Sequence, residues 1–262
     1  MRAAFVSQVG LVGAAFILLF LFEATGLTTP AAQDWQWAVS TNLTHERVVG
    51  LLNLPEIMGA GCGSIEPKRV DLYRTPSTLS PPIGSIALSV SDRQADGTCA
   101  SAQIVVRRAE SRSDEQLPTD ETGYEIAAAI VYQRSGLWFR IALQHGSAWI
   151  TRESAQDFQS YPELLLTDKS DYLRKGWDGK LWPAPGAAAA TQVPSGWSKH
   201  FGENIPIDVL GVRRIRNEVW IHVRLNTESC GERLTGVRSA TGWLPAYRPS
   251  RRTSVWFYSR GC

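Results

Sequence analysis

The sequence predicts an all-β protein with a few short helices, arranged as two small β units in tandem behind an N-terminal apolar segment. Three observations predict it. In Trp220-Ile-His-Val-Arg-Leu225 polar and apolar residues alternate, so that Trp220, His222 and Arg224 share one face and Ile221, Val223 and Leu225 the other. Helical periodicity is confined to short stretches. One succession of aromatic, proline and turn marks occurs twice along the chain. The 262 residues are enough for two small domains, and 44% hydrophobic with 20% charged residues excludes a disordered or collagen-like chain. A net charge of +2 without a long block of like charge argues against nucleic acid as a partner.

Residues 1–32 carry Arg2, an uninterrupted apolar run from Val9 to Phe22 and then small residues, which is the plan of an export signal. As a helix the run reaches roughly 21 Å, short of the ~30 Å hydrocarbon core. Cleavage near Ala24-Thr25-Gly26, or secondarily Thr29-Pro30-Ala31, is therefore favoured over a retained anchor. Both outcomes place Asp34 onward outside the cytosol, in a periplasmic or secreted location. Membrane contact is expected only through residues 1–26, if they are not removed. No Cys sits near the end of the apolar run, so no lipid attachment is expected there.

Residues 33–59 read as a short helical lead-in, with Val48, Val49, Leu51 and Leu52 at helix-compatible spacing over Thr44 to Leu52 and with Gly50 and Pro55 limiting its length. The first unit spans 60–158. Arg69-Val-Asp-Leu-Tyr73-Arg-Thr-Pro76 reads as its first strand running into a loop, and an elaborated loop follows over 89–122 with the Asp96-Gly97 turn signal and the strand-like Gln103 to Val106. Ile126 to Tyr132, a polar turn, Trp138 to Leu143 and Ala148-Trp149-Ile150 complete it. A linker over 159–176 contains Ser160-Tyr-Pro-Glu163, a capping box that predicts a helix from Tyr161 to about Leu166.

The second unit, 177–262, repeats these marks in order. Lys180-Leu-Trp182-Pro-Ala-Pro185 matches the first strand; Ile207 to Arg213, a turn and Val219 to Leu225 match the hairpin; Gly242-Trp243-Leu244 matches the second tryptophan. Its insert falls at 227–241. Pro183 and Pro185 make Ala184 to Ala190 a loop.

This order, and above all Val-Trp-Ile-His-Val at 219–223 and Thr-Gly-Trp-Leu-Pro at 241–245, resembles the bacterial SH3-like barrel over about residues 60–250. The resemblance implies two small barrels on an exported cell-envelope protein. It implies a non-catalytic binding or scaffolding role toward peptide, cell-wall material or another exported protein. In such barrels some strand aromatics line a ligand groove, which makes Tyr73, Trp138 and Trp149 in the first unit, and Trp182, Trp220 and Trp243 in the second, the candidate ligand-binding residues. Trp35, Trp37, Trp177, Trp197 and Trp256 stand outside the repeated marks and receive no role.

Four cysteines allow three disulfide connectivities. Cys62 with Cys99 and Cys230 with Cys262 is favoured, because each pair stays within one unit and pins a segment with little core of its own. His45, His145, His200 and His222 are scattered without metal-ligand spacing, and no nucleophile elbow, phosphate loop or dinucleotide fingerprint occurs, so no metal, cofactor or catalytic residue is expected. The acids Asp114, Glu115, Asp120, Glu121 and Glu125 read as solvated loop residues. The alternative reading is an envelope hydrolase or hydrolase inhibitor that works through the inserts, with Glu125 or Cys99 essential. Residues 199–262 hold 11 Lys plus Arg against 5 Asp plus Glu, a net +6 that leaves −4 for the remainder. The basic C-terminal unit is thus suited to an anionic envelope surface, or to attraction between the two halves.

Overall fold

The computed structural model describes residues 47–58, 69–93, 99–108, 111, 113–123, 126–153, 157–167, 170–229 and 231–259. The export segment, Cys62, Cys230, Cys262 and Glu125 lie outside the described residues, and Cys99 is described by its backbone alone. The expected disulfide pairing and the cleavage site therefore fall outside the description as well.

The chain enters as a strand, β1 (Gly50–Asn53), where the apolar spacing predicts a helix. The reason is pairing on both edges: Leu51 lies opposite Ile130 on one side and Gln159 on the other. Leu51 and Leu52 point to opposite faces, and both are fully buried because each face meets a different core. A short apolar run buried on both sides has no alternation to distinguish it from a helix. Gly50 is required by closeness: a Cβ there would lie 2.3 Å from the Gln159 carbonyl oxygen and 2.6 Å from the Phe158 ring. Gly50→Ala is expected to destabilise the protein by about 1–3 kcal/mol, read as a lower urea midpoint at unchanged slope.

A single helical turn, α1 (Pro55–Met58), precedes β2 (Val70–Leu72), β3 (Gly84–Arg93), β4 (Cys99–Arg108) and β5 (Glu115–Gln116), which form one four-stranded antiparallel sheet. The elaborated loop expected at 89–122 is therefore a correction: most of it is a long pair of antiparallel strands, β3 and β4, with Arg93 opposite Cys99. Ile86 and Leu88 from β3 and Ile104 and Val106 from β4 are buried in one core together with residues of the first main sheet. The strand around Tyr73 is likewise second in its unit, after β1, rather than first.

Next come β6 (Thr119–Gly123), β7 (Ile126–Ser135), β8 (Trp138–Ala142), β9 (Ser147–Thr151) and β10 (Phe158–Ser160). The helix α2 (Tyr161–Leu165) carries the expected capping box: the Glu163 backbone N–H donates to Ser160 Oγ, and the Ser160 N–H donates to Glu163 Oε2 at 2.7 Å. The segment expected as a linker contains a further strand, β11 (Ser170–Leu173). Beyond it lie β12 (Lys180–Leu181), β13 (Thr191–Gln192) and a 3₁₀ turn at Ser195–His200. The remainder is β14 (Ile205–Ile215), β15 (Glu218–Leu225), β16 (Glu228–Ser229), β17 (Glu232–Arg233), β18 (Thr241–Pro245) and β19 (Val255–Tyr258). Ala184 to Ala190 is loop, in keeping with its prolines.

All-β architecture with two short α-helices is thus observed. The main sheet of the first half runs β10-β1-β7-β8-β9, with β6 on the same edge of β7 as β8, and that of the second half runs β19-β11-β14-β15-β18. Position by position the orders agree. Neither path closes on itself, because its end strands do not pair, so closed barrels are not what the chain forms.

The two halves share a core. Ala127, Ala129, Val131, Phe139 and Ile141 face the β3–β4 hairpin, whereas Leu51, Ala128, Ile130, Tyr132 and Ala142 join Tyr161, Leu164, Trp256 and the inner residues of the second sheet. The first sheet is therefore covered on both faces along β7, where Ala127 to Tyr132 are all buried. By contrast β14 is buried on one face at most. Among the described residues no helix is long and apolar enough to cross a membrane.

Candidate functional site: two aromatic clusters

The six aromatic residues singled out in the sequence assemble into two clusters of the same construction. In the first, Tyr73 and Trp149 form an isolated antiparallel bridge, each backbone N–H donating to the other's carbonyl at 2.8 Å. Trp138 meets the Tyr73 ring edge-on at 5.4 Å. In the second, Trp182 and Trp243 form the equivalent bridge at 2.7 Å in both directions, and Trp220 meets Trp182 edge-on at 5.6 Å. Such edge-to-face pairs contribute about 0.5–1.5 kcal/mol beyond the area they bury. The bridges place one aromatic from the strand after β1 or β11 against the last strand of the hairpin unit.

The clusters differ in what surrounds them. In the first, Arg140 lies opposite Trp149 in the β8–β9 register, and its guanidinium stands 5.9 Å from the Tyr132 ring at the shared core. Trp149 is buried, and Tyr73 and Trp138 are half-buried. In the second, His222 lies opposite Trp243 and stacks flat on it, with ring centroids 4.7 Å apart and planes 10° apart. The Arg213 guanidinium stands 5.8 Å from the Trp243 centroid. Gly211 lies opposite His222 across β14, and a Cβ built on it would meet no atom within 4 Å, so a lane of open surface runs beside the imidazole. Beyond it Arg224 Nε donates to Asp208 Oδ2 at 2.8 Å, and Asn226 Nδ2 donates to Asp208 Oδ1 at 2.6 Å.

The expected division of faces along β15 holds with one change. Ile221, Val223 and Leu225 are buried inward, His222 is half-buried and Arg224 is exposed, but Trp220 is buried too, because Trp182 covers it. Its indole N–H donates to Glu218 Oε2 at 3.2 Å. The second cluster therefore offers Trp243, His222 and Arg213 as a half-exposed aromatic and cationic face. Its chemistry is that of contact: stacking, cation–π attraction and hydrogen bonding. Compared with known proteins, the chain matches no family model, no curated protein and no solved structure. The reading of this face rests on its own geometry.

Two expectations need correcting. Asp120 and Glu121 are not solvated loop residues but part of β6, held against the C-terminal segment. Trp256 Nε1 donates to Asp120 Oδ2 at 2.9 Å, and Ser259 Oγ donates to Glu121 Oε2 at 2.5 Å. Loss of solvent pushes the Asp120 carboxyl up to about 6, with backbone and indole hydrogen bonds opposing the shift. Asp114 is exposed, whereas Glu115 is a half-buried residue of β5; they pair with Arg107 and Arg108 at 3.1 and 3.2 Å. Three tryptophans left without a role are core residues: Trp177, Trp197 and Trp256 are buried, and Trp197 donates to the Arg238 carbonyl at 2.9 Å. Their only signal in the sequence is their apolar bulk, which does not say where they pack. Among the described residues no three His, Cys, Asp or Glu converge on a point that could hold a metal ion.

Proposed function

We propose that the protein is a non-catalytic binding or scaffolding protein of the cell envelope, built from two SH3-like units whose sheets stay open at one end. The single observation that supports this most is the recurrence of one strand order and one bridged aromatic cluster in both halves, with the second cluster left half-exposed beside a cationic strand. A contact surface of stacked aromatics flanked by arginines suits an extended peptide or cell-wall strand better than an enclosed small molecule. The apolar run Val9 to Phe22 supports an exported location.

The two halves have different duties in this reading. The first sheet, covered on both faces along β7, acts as the scaffold. The second, open on its outer face, carries the ligand. Co-sedimentation of the purified protein with isolated cell-wall material tests the proposal. Retention is expected, with Trp243→Ala weakening it by about tenfold or more while the fold is kept. No retention of the folded wild-type protein, or equal retention of the variant, would reject it.

A further inference from the structure

A cavity of about 450 Å³ opens where the strand entering β1 meets the end of β18. Its walls include Arg47, Arg248 and Arg251, the single carboxylate of Glu218, and the apolar surfaces of Pro245 and Tyr247. Three arginines and one acid thus line the same cavity. Among the described residues none of the three has a carboxylate within ion-pair distance.

The arginines are held in place by the fold. Arg47 lies over the Tyr247 ring, 4.2 Å from its centroid, and the Tyr247 hydroxyl donates to the Val48 carbonyl at 2.7 Å. Arg248 donates from Nη1 to the Lys175 carbonyl at 2.9 Å and from Nη2 to the Arg174 carbonyl. Arg251 sits at φ 65°, a left-handed conformation unfavourable for any residue but glycine, in a turn closed by its N–H on the Arg248 carbonyl at 2.8 Å. Burial, with Arg174 and Arg252 nearby and Asp178 opposing them, disfavours the charge on Arg248, and an anion brought here would favour it.

We propose that this cavity binds a carboxylate carried on a peptide, either a chain end or an acidic side chain. Guanidinium forks match a carboxylate in two-point fashion, and Pro245 and Tyr247 offer apolar contact to the residue that carries it. Glu218 in the same wall tolerates a single negative charge better than the double charge of a phosphate monoester. This site is distinct from the Trp243 face and stands whether or not that face binds.

The Trp220 indole N–H donates to Glu218, a residue of the cavity wall, and so serves as a reporter next to the site. In isotope-labelled protein its resonance is expected to shift saturably with acetyl-Ala-Ala or acetyl-Asp-amide, and to stay unchanged with acetyl-Ala-Ala-amide. Whichever of the two acids binds more tightly identifies the carboxylate source. Arg251→Gly removes the guanidinium while relaxing the left-handed turn, so the variant remains folded; affinity should fall by roughly tenfold or more. Arg47→Ala, altering an exposed side chain, should give a loss of the same order. An equal response to the amide, unchanged affinity in both folded variants, or inorganic phosphate binding as tightly as the peptides would overturn the proposal.

Discussion

Replacing Trp256 by alanine is expected to lower the stability of the whole chain by about 3–5 kcal/mol, and to do so in one unfolding transition. Trp256 is buried between Tyr161, at 5.6 Å with planes 18° apart, and Phe257 at 5.1 Å. Its indole N–H donates to Asp120 on β6 of the first half, and the Tyr161 hydroxyl donates to the Val255 carbonyl on β19 of the second half at 2.7 Å. Removing the indole opens a cavity in the core that both halves share and takes from Asp120 Oδ2 its indole donor, leaving Oδ1 on the Glu121 backbone N–H. Urea unfolding followed by tryptophan fluorescence and by far-ultraviolet circular dichroism provides the check. Two separate transitions, or a loss below about 1 kcal/mol, would mean that the halves do not depend on this contact.

Asp120→Asn is expected to flatten the stability profile between about pH 4 and pH 6. Burial raises the carboxyl from 3.8 to about 6, so between those values the folded protein holds a proton that the unfolded chain has released. Folding is favoured on the acid side of this window, and that contribution is lost as pH rises through about 6. The change amounts to at most ~3 kcal/mol between pH 4 and pH 7. The asparagine side-chain oxygen still accepts from Trp256, while its NH2 takes the place of the oxygen that accepts from the Glu121 backbone N–H, so the variant gives up that one hydrogen bond together with the ionisation. Free energies of unfolding across this range for both proteins decide the matter. An unchanged slope in the variant would show that Asp120 is not the group responsible.

The parts of the fold visible in the sequence were those decided within a few residues. The capping box at Ser160 and Glu163 is such a case, since both hydrogen bonds close inside one helical turn. The alternation from Trp220 to Leu225 is another, because a sheet with one wet face imposes a period of two. The aromatic positions of both clusters were legible as an order of marks, although nothing local says that Tyr73 pairs with Trp149 or Trp182 with Trp243. What escaped was whatever has two apolar faces or a distant partner. Gly50-Leu-Leu-Asn53 reads as part of a helix because neither Leu51 nor Leu52 meets water. The acids at 120 and 121 read as surface because the groups that take them out of solvent, Trp256 and Ser259, lie more than a hundred residues away.

By itself, then, the sequence determined an all-β chain, the one capped helix and the paired sets of aromatic residues, all of which follow from backbone preference and nearest-neighbour pattern. Only the tertiary structure decided that the two sheets merge through one core, that the first is covered on both faces along β7 while the second keeps an open one, and that three arginines from two distant segments line one cavity. Those outcomes depend on which faces meet across long stretches of chain, and burial of apolar surface rewards contact without specifying from which residues it must come.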